Sequence, residues 1–249
     1  KNEDKKKYIN RLIFDEILST FLINSNLKKN FKRKTKFPKK VNFNLTNELE
    51  EKIGFKLTND QINAINEINN DISSDKRMFR ILQGDVGSGK TVVSLITSQN
   101  VVLNNYQVAF MAPTEILAKQ HYNLYKKIFS NSKTVDLLTG KTEYKKRKNI
   151  LKKLENNKIN IIFGTHALFQ DKIKFKKLGL IIIDEQHKFG VNQRKKLSEK
   201  GNSNCDVLVM SATPIPRTMM MTLYGDMDIT LIKSKPKNRK EILTYTKSI

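Results

Sequence analysis

The stretch Gly84-Asp85-Val86-Gly87-Ser88-Gly89-Lys90-Thr91 limits what this 249-residue chain can fold into more than any other. It matches G-x-x-x-x-G-K-[ST]. The apolar run Phe79–Leu82 before it predicts a strand, and Val92–Val102 after it predicts a helix. Glycines at that spacing let backbone N–H groups curl round a phosphate, and the amino end of the following helix adds its positive pole. Lys90 then falls at the β- and γ-phosphates of a nucleotide, and the Thr91 hydroxyl at Mg2+. Gly84, Asp85, Val86, Gly87, Ser88, Gly89, Lys90 and Thr91 are together the candidate nucleotide-binding loop.

The rest of the chain repeats the strand-then-helix rhythm. Strand-like runs at Met78–Leu82, Val108–Met111, Thr134–Leu138, Asn160–Phe163, Leu180–Ile183 and Val207–Met210 are separated by helix-length segments. Continuous apolar strands alternating with helices predict an α/β fold, a mainly parallel sheet covered by helices on both faces. Ile229–Ile232 and Ile242–Thr246 read as a further strand or a linker. Thr58 caps a helix carrying Ile62, Ile65 and Ile68. The run Gly179–Ile183 ends in Asp184 and Glu185. Ligands of parallel sheets bind at the carboxyl ends of strands, so both acids point toward the phosphate loop. Asp184 can join the Mg2+ shell, and Glu185 can take a proton from an attacking water. That constellation implies nucleoside triphosphate hydrolysis.

The first 54 residues differ. Ile9, Leu12, Ile13, Ile17 and Phe21 recur at helical spacing, widened by Tyr8, Phe14, Leu18 and Leu22. A basic run from Lys28 to Lys40 follows with no acid in it, and Pro38 breaks it. Asn47 is expected to cap a short helix through Ile53 that Gly54 ends. This segment reads as a connector. By default its lysines form a solvated face, with a better claim on duplex DNA than the run Lys145–Lys148. The net charge of +23 agrees with a polyanionic partner, but a surplus carried mainly by lysine on solvated faces does not need one. Cys205 is the single cysteine, which excludes a disulfide scaffold and a cysteine-based zinc site. His121 and His166 have no metal spacing and read as packing or capping residues. No apolar run approaches the roughly 20 residues of a membrane span.

Further stretches carry a resemblance. Asp184-Glu185-Gln186-His187 is similar to the acidic box of superfamily-two helicases. Ala112–His121 resembles their first DNA-contacting motif, and Gly164–Leu168 the next. Ser211-Ala212-Thr213 resembles the motif that couples hydrolysis to movement, and Phe55–Thr58 with Gln61 resembles the adenine-reading motif. Combined with Phe189-Gly190-Val191 and Pro214-Ile215-Pro216-Arg217-Thr218, the chain from about Phe55 onward resembles the RecG family of bacterial branch-migrating DNA helicases.

The resemblance implies a RecA-like P-loop lobe over residues 55–233, a helical basic connector over 1–54, and a linker over 234–249. It implies ATP and Mg2+ as cofactors, with Lys90, Asp184, Glu185 and His187 as the catalytic set. Gln61 is expected to read the adenine edge with its amide. His187 is expected to bond across to Ser211, Ala212 and Thr213, and so sense the γ-phosphate. Thr114, Glu115, Gly164 and Thr165 are expected to meet DNA phosphates, which position a strand without reading its sequence. Lys119 and Arg217 read equally well as DNA contacts or solvated charges.

Branched or forked duplex DNA is the implied partner, and a cytoplasmic monomer away from membranes the implied setting. The family's second RecA-like lobe, with its arginine fingers, and its wedge domain are not found in this sequence. With Lys1 in place of Met, this suggests a fragment, which alone would hydrolyse ATP very slowly. Two other readings stay open: a translocase of the transcription-repair coupling type, and a nucleotide-dependent DNA-binding module without hydrolysis.

Overall fold

A computed structural model describes residues 2–32, 35–129, 134–170, 173–184, 205–212 and 227–234. In chain order its elements are α1 (Asn2–Lys32), α2 (Leu45–Ile53), α3 (Asn59–Ser73), β1 (Phe79–Gly84), α4 (Lys90–Leu103), β2 (Gln107–Met111) and α5 (Glu115–Ile128). There follow β3 (Val135–Leu138), α6 (Tyr144–Glu155), β4 (Ile161–Gly164), a 3-10 turn (His166–Phe169), β5 (Leu178–Ile183), β6 (Asp206–Ser211) and β7 (Asp228–Ile232). The strands form one sheet in the order β3-β4-β2-β5-β6-β1-β7. Every neighbouring pair is parallel.

The strand period of two explains the two-sided core. Leu82, Phe110, Phe163, Ile182, Leu208 and Met210 fall on one face, against Ile65, Ile68, Ile72, Val93 and Tyr125 of α3, α4 and α5. Ile81, Ala109, Ile162, Ile181, Val207 and Val209 fall on the other, with Ile150 and Leu154 of α6. β2, β5 and β6 are buried along their whole length, which is why they appear as unbroken apolar runs. Each such Ile, Leu or Phe contributes about 1.5–3 kcal/mol by leaving water. Ile229–Ile232 resolves into β7, an edge strand paired with β1.

The connector departs from expectation in two ways. α2 starts at Leu45, and Asn44 stands at its cap position without a side-chain bond, so Asn47 is not the cap. Gly54 does end it, in the left-handed conformation at φ 81°. The second departure is larger. Lys36 and Lys39 of the basic run are buried. Lys36 Nζ donates to Asp206 Oδ1 at 2.6 Å and to the Asp71 carbonyl at 2.8 Å. Lys39 Nζ donates to Asp206 Oδ2 at 2.7 Å. The Met78 N–H also reaches Oδ1, at 2.8 Å. Asp206 opens β6, so these lysines bolt the connector to the amino edge of the sheet instead of facing solvent. Burial pushes the Lys36 ammonium below its ordinary value of 10.5, and Asp206 opposes that shift. Burial and the Asp206 charge push the Cys205 thiol up to about 12, so it stays protonated and inert.

α1 is the helix its periodicity predicts. Its stripe is exposed, however, with Tyr8, Leu12, Phe14 and Leu22 between 53% and 71% accessible.

Candidate active site at the carboxyl edge of the sheet

Because the strands run parallel, the turns that follow them line one edge. β1 ends at Gly84, and α4 begins at Lys90 behind Gly89. Gly87 and Gly89 hold φ of 78° and 90°, where a side chain would be strained. A Cβ on Gly84 would lie 2.6 Å from Ser88 Oγ, and one on Gly89 would collide with Gln61 Nε2. The loop therefore closes on itself without side chains in its way. Lys90 is nearly buried, and its Nζ donates to the carbonyls of Gly84 at 2.6 Å and Asp85 at 3.0 Å. Ser88 Oγ is buried with no hydrogen-bond partner. A buried hydroxyl left unpaired costs about 1–3 kcal/mol, so Ser88 Oγ has bonding capacity that a partner in the loop could meet. A phosphate oxygen fits that need, and the cluster of donors fits its charge.

Gln61 lies against the same loop and makes bonds that its sequence position did not announce. Its Oε1 accepts the Thr58 N–H at 2.9 Å, while Thr58 Oγ1 accepts the Gln61 N–H at 3.3 Å, a capping box that opens α3. Its Nε2 donates to the Ser88 carbonyl at 2.7 Å. The amide thus latches α3 to the phosphate loop, with one donor and one lone pair left over. The preceding residue ties down the end of β7: the Asp60 carboxylate accepts the backbone N–H groups of Lys233 and Ser234. Those bonds, the Ser234 backbone first, lower the Asp60 pKa. Gln83, Gly84, Asp85, Ala212, Ile232 and Lys233 line a cleft of about 280 Å3 beside the loop. Ser211 closes β6 in register with Gln83, so Ser211 and Ala212 sit next to the phosphate loop.

Asp184 follows β5, its N–H donating to the Met111 carbonyl at 2.8 Å. Its side chain is mostly buried, and Oδ2 lies 2.8 Å from His121 Nε2. At about 4.8 Å per strand, β5 is two steps, or roughly 10 Å, from β1 and one step from β2. Among the described residues no three metal-ligating side chains cluster. Mg2+ suits such a site, since it is commonly held by one or two protein oxygens with phosphate and water completing the shell. Thr91 and Asp184 are the side chains that would hold it.

The other half of the edge gathers the residues expected to meet DNA. Thr114 caps α5, its Oγ1 accepting the Leu117 N–H at 3.3 Å. Glu115 Oε1 accepts the Lys141 N–H at 3.3 Å and so braces the turn after β3. The Gly164 carbonyl accepts the Ala112 N–H at 2.9 Å, and a Cβ at Gly164 would strike the Leu138 carbonyl. Thr165 opens the 3-10 turn. The turns after β2, β3 and β4 are thereby fastened together as one surface. Lys119 is exposed. Glu185, Gln186, His187, Thr213 and Arg217 lie outside the described residues.

His121 is the residue that sequence reasoning missed. It falls on the buried stripe of α5 with Ala118, Tyr125 and Ile128. A polar ring on an apolar stripe must find a partner, and that was the available signal.

A model of the DEAD/DEAH box helicase family matches residues 58–222. The ATP-dependent DNA helicase RecG of Aquifex aeolicus is 49% identical over 242 residues, covering 95% of this chain and 30% of the relative. RecG of Staphylococcus aureus is 52% identical over 184 residues, covering 74% of this chain and 27% of that protein. The solved structure of RecG bound to a three-way DNA junction superposes with a TM-score of 0.81 at 43% identity, over 94% of this chain and 31% of that one. The chain thus spans under a third of the length of these relatives.

Proposed function

The chain belongs to the DEAD/DEAH box helicase family, and from that premise we propose that it is the first motor lobe, with its connector, of a RecG-type ATP-dependent DNA helicase. In this reading the whole protein remodels branched DNA, such as stalled forks and Holliday junctions, during recombination and repair. It works as a cytoplasmic monomer with a second RecA-like lobe and a wedge domain. The observation that carries it is the row of sites along one sheet edge. The phosphate loop stands at β1, Asp184 at β5, and the fastened turns of β2, β3 and β4 beyond it. Among the described residues no helix is long and apolar enough to cross a membrane.

The chain's own groups divide the work. Ser88 Oγ and the loop N–H groups receive phosphate oxygens. Lys90 turns from the Gly84 and Asp85 carbonyls toward the β- and γ-phosphates. Thr91 and Asp184 would hold Mg2+, which when bound would neutralise charge developing on the phosphates. Glu185 accepts the proton of the attacking water, and His187 with Ser211, Ala212 and Thr213 relays the γ-phosphate state. Gln61 holds the loop and has one donor and one acceptor left for an adenine edge. Backbone N–H groups at Thr114, Glu115, Gly164 and Thr165 grip DNA phosphates, so binding weakens steeply with salt. ATP turnover of the full-length protein on forked, duplex and single-stranded DNA tests this. The expected order has forks highest, and a preference for single strands counts against a RecG-type motor. Glu185→Gln should stop turnover while ATP still binds; continued turnover would remove Glu185 from the base role.

A further inference from the structure

α5 touches both halves of the edge. Its amino end carries Thr114 and Glu115, and six residues on, about 9 Å along the axis, it carries His121. His121 is 7% exposed, and its ring packs on Phe110 with centroids 4.9 Å apart. Nε2 meets Asp184 Oδ2 at 2.8 Å. An ionised carboxylate can only accept, so the ring's hydrogen sits on Nε2. The Asp184 backbone is pinned by its bond to Met111, which leaves rotation of the carboxylate as the remaining freedom. The His121 bond removes it. Groups bonded to metal-ligating carboxylates commonly tune affinity in this way.

We propose that His121 is the positioning residue that holds Asp184 ready for Mg2+, and that through it the phosphate-gripping end of α5 sets how well that acid binds the metal. The proposal rests on reading the lobe as an ATP-driven DNA motor. A shift of α5 on DNA moves His121 with it, because both lie on one rigid helix, and Asp184 follows its bonded partner.

The test uses the full-length protein with His121→Leu, which keeps volume but removes the donor, and His121→Gln, which keeps an N–H near the Nε2 position. Binding of a fluorescent ADP analogue is titrated with Mg2+, and repeated without Mg2+ and with forked DNA. His121→Leu should raise the Mg2+ needed for half-maximal binding by about tenfold or more. Mg2+-free binding should stay near wild type even where the melting temperature falls, since Asp184 loses a buried partner, and His121→Gln should recover most of the Mg2+ loss. Forked DNA should shift the Mg2+ requirement of the wild type and not that of His121→Leu. An unchanged Mg2+ requirement in His121→Leu overturns the proposal. So does an equal loss of Mg2+-free binding, which would mark a packing role. A DNA-induced shift that survives in His121→Leu overturns the link to α5. Should DNA leave the wild type unaffected, the motor reading fails, and the DNA-free titration still decides whether His121 positions Asp184.

Discussion

At the amino edge of the sheet, Lys36 and Lys39 close on the two oxygens of Asp206; at the carboxyl edge, Lys90 donates to the carbonyls of Gly84 and Asp85. All three lysines are buried, yet the partners differ in kind. The single carboxylate offsets one of the two ammonium charges and bonds both, and what it builds is a fastening. The Gly84 and Asp85 carbonyls instead hold the Lys90 ammonium inside the phosphate loop, beside the cleft. Ser88 Oγ adds to the contrast: buried polar groups around Asp206 are bonded to one another, while this hydroxyl beside Lys90 has no partner. From Asp206 to Ser211, β6 spans about 17 Å, so the two edges are far enough apart to be altered separately. At the amino edge the Asp206 carboxylate is bonded within the chain, and at the carboxyl edge the Ser88 hydroxyl keeps bonding capacity to spare.

The largest expected effect is at the fastening. Asp206→Ala leaves two buried ammonium groups without their carboxylate and should cost about 3–5 kcal/mol of stability, read by urea unfolding. A loss below about 1 kcal/mol, the worth of an exposed pair, would break the distinction between the edges. Next comes Lys90→Ala, expected to lower ATP turnover of the full-length protein by about 10²–10³-fold with little change in unfolding midpoint. A matching fall in stability would make Lys90 a structural lysine like the other two. Smaller and opposite in sign is Ser88→Ala. Without nucleotide it should stabilise the chain by about 1 kcal/mol, because an unpaired hydroxyl is removed, while nucleotide binding weakens. Calorimetry with and without ADP reads both.

The smallest effect concerns pH. Burial holds the folded Lys36 pKa below the unfolded value of 10.5. Between those two values the unfolded chain keeps a proton that the folded chain has released, so stability rises with pH through that window. Lys36→Met removes that contribution. The stability difference between wild type and variant should therefore move in favour of wild type as pH climbs from neutral toward 10.5, read by urea unfolding at several pH values. A difference that stays flat would mean Lys36 is not held below its ordinary value.

Much of the fold was legible because the signals are local. Leu180 to Ile183 reads as a strand buried on both faces because it is short, mostly β-branched and set between helix-length segments, and Gly84 to Thr91 has a backbone that few other sequences could follow. Thr58 announced a helix start, and Gly54 a helix end. The site was legible where it lies on one continuous loop. It was illegible where two distant segments meet. Lys36 and Lys39 looked solvated because their partner is Asp206, 170 and 167 residues away. His121 looked like a packing residue because Asp184 is 63 residues on. The bond from Gln61 to the Ser88 carbonyl was illegible for the same reason, with 27 residues between them.

By itself the sequence determined the parallel sheet, the phosphate loop and the row of turns at the carboxyl edge, since strand period, glycine conformation and helix caps depend on near neighbours. The tertiary structure alone decided which charges are spent inside the fold. Burying an ammonium or an imidazole is favourable only when a bonded partner arrives with it, and in this chain those partners come from strands brought alongside by folding.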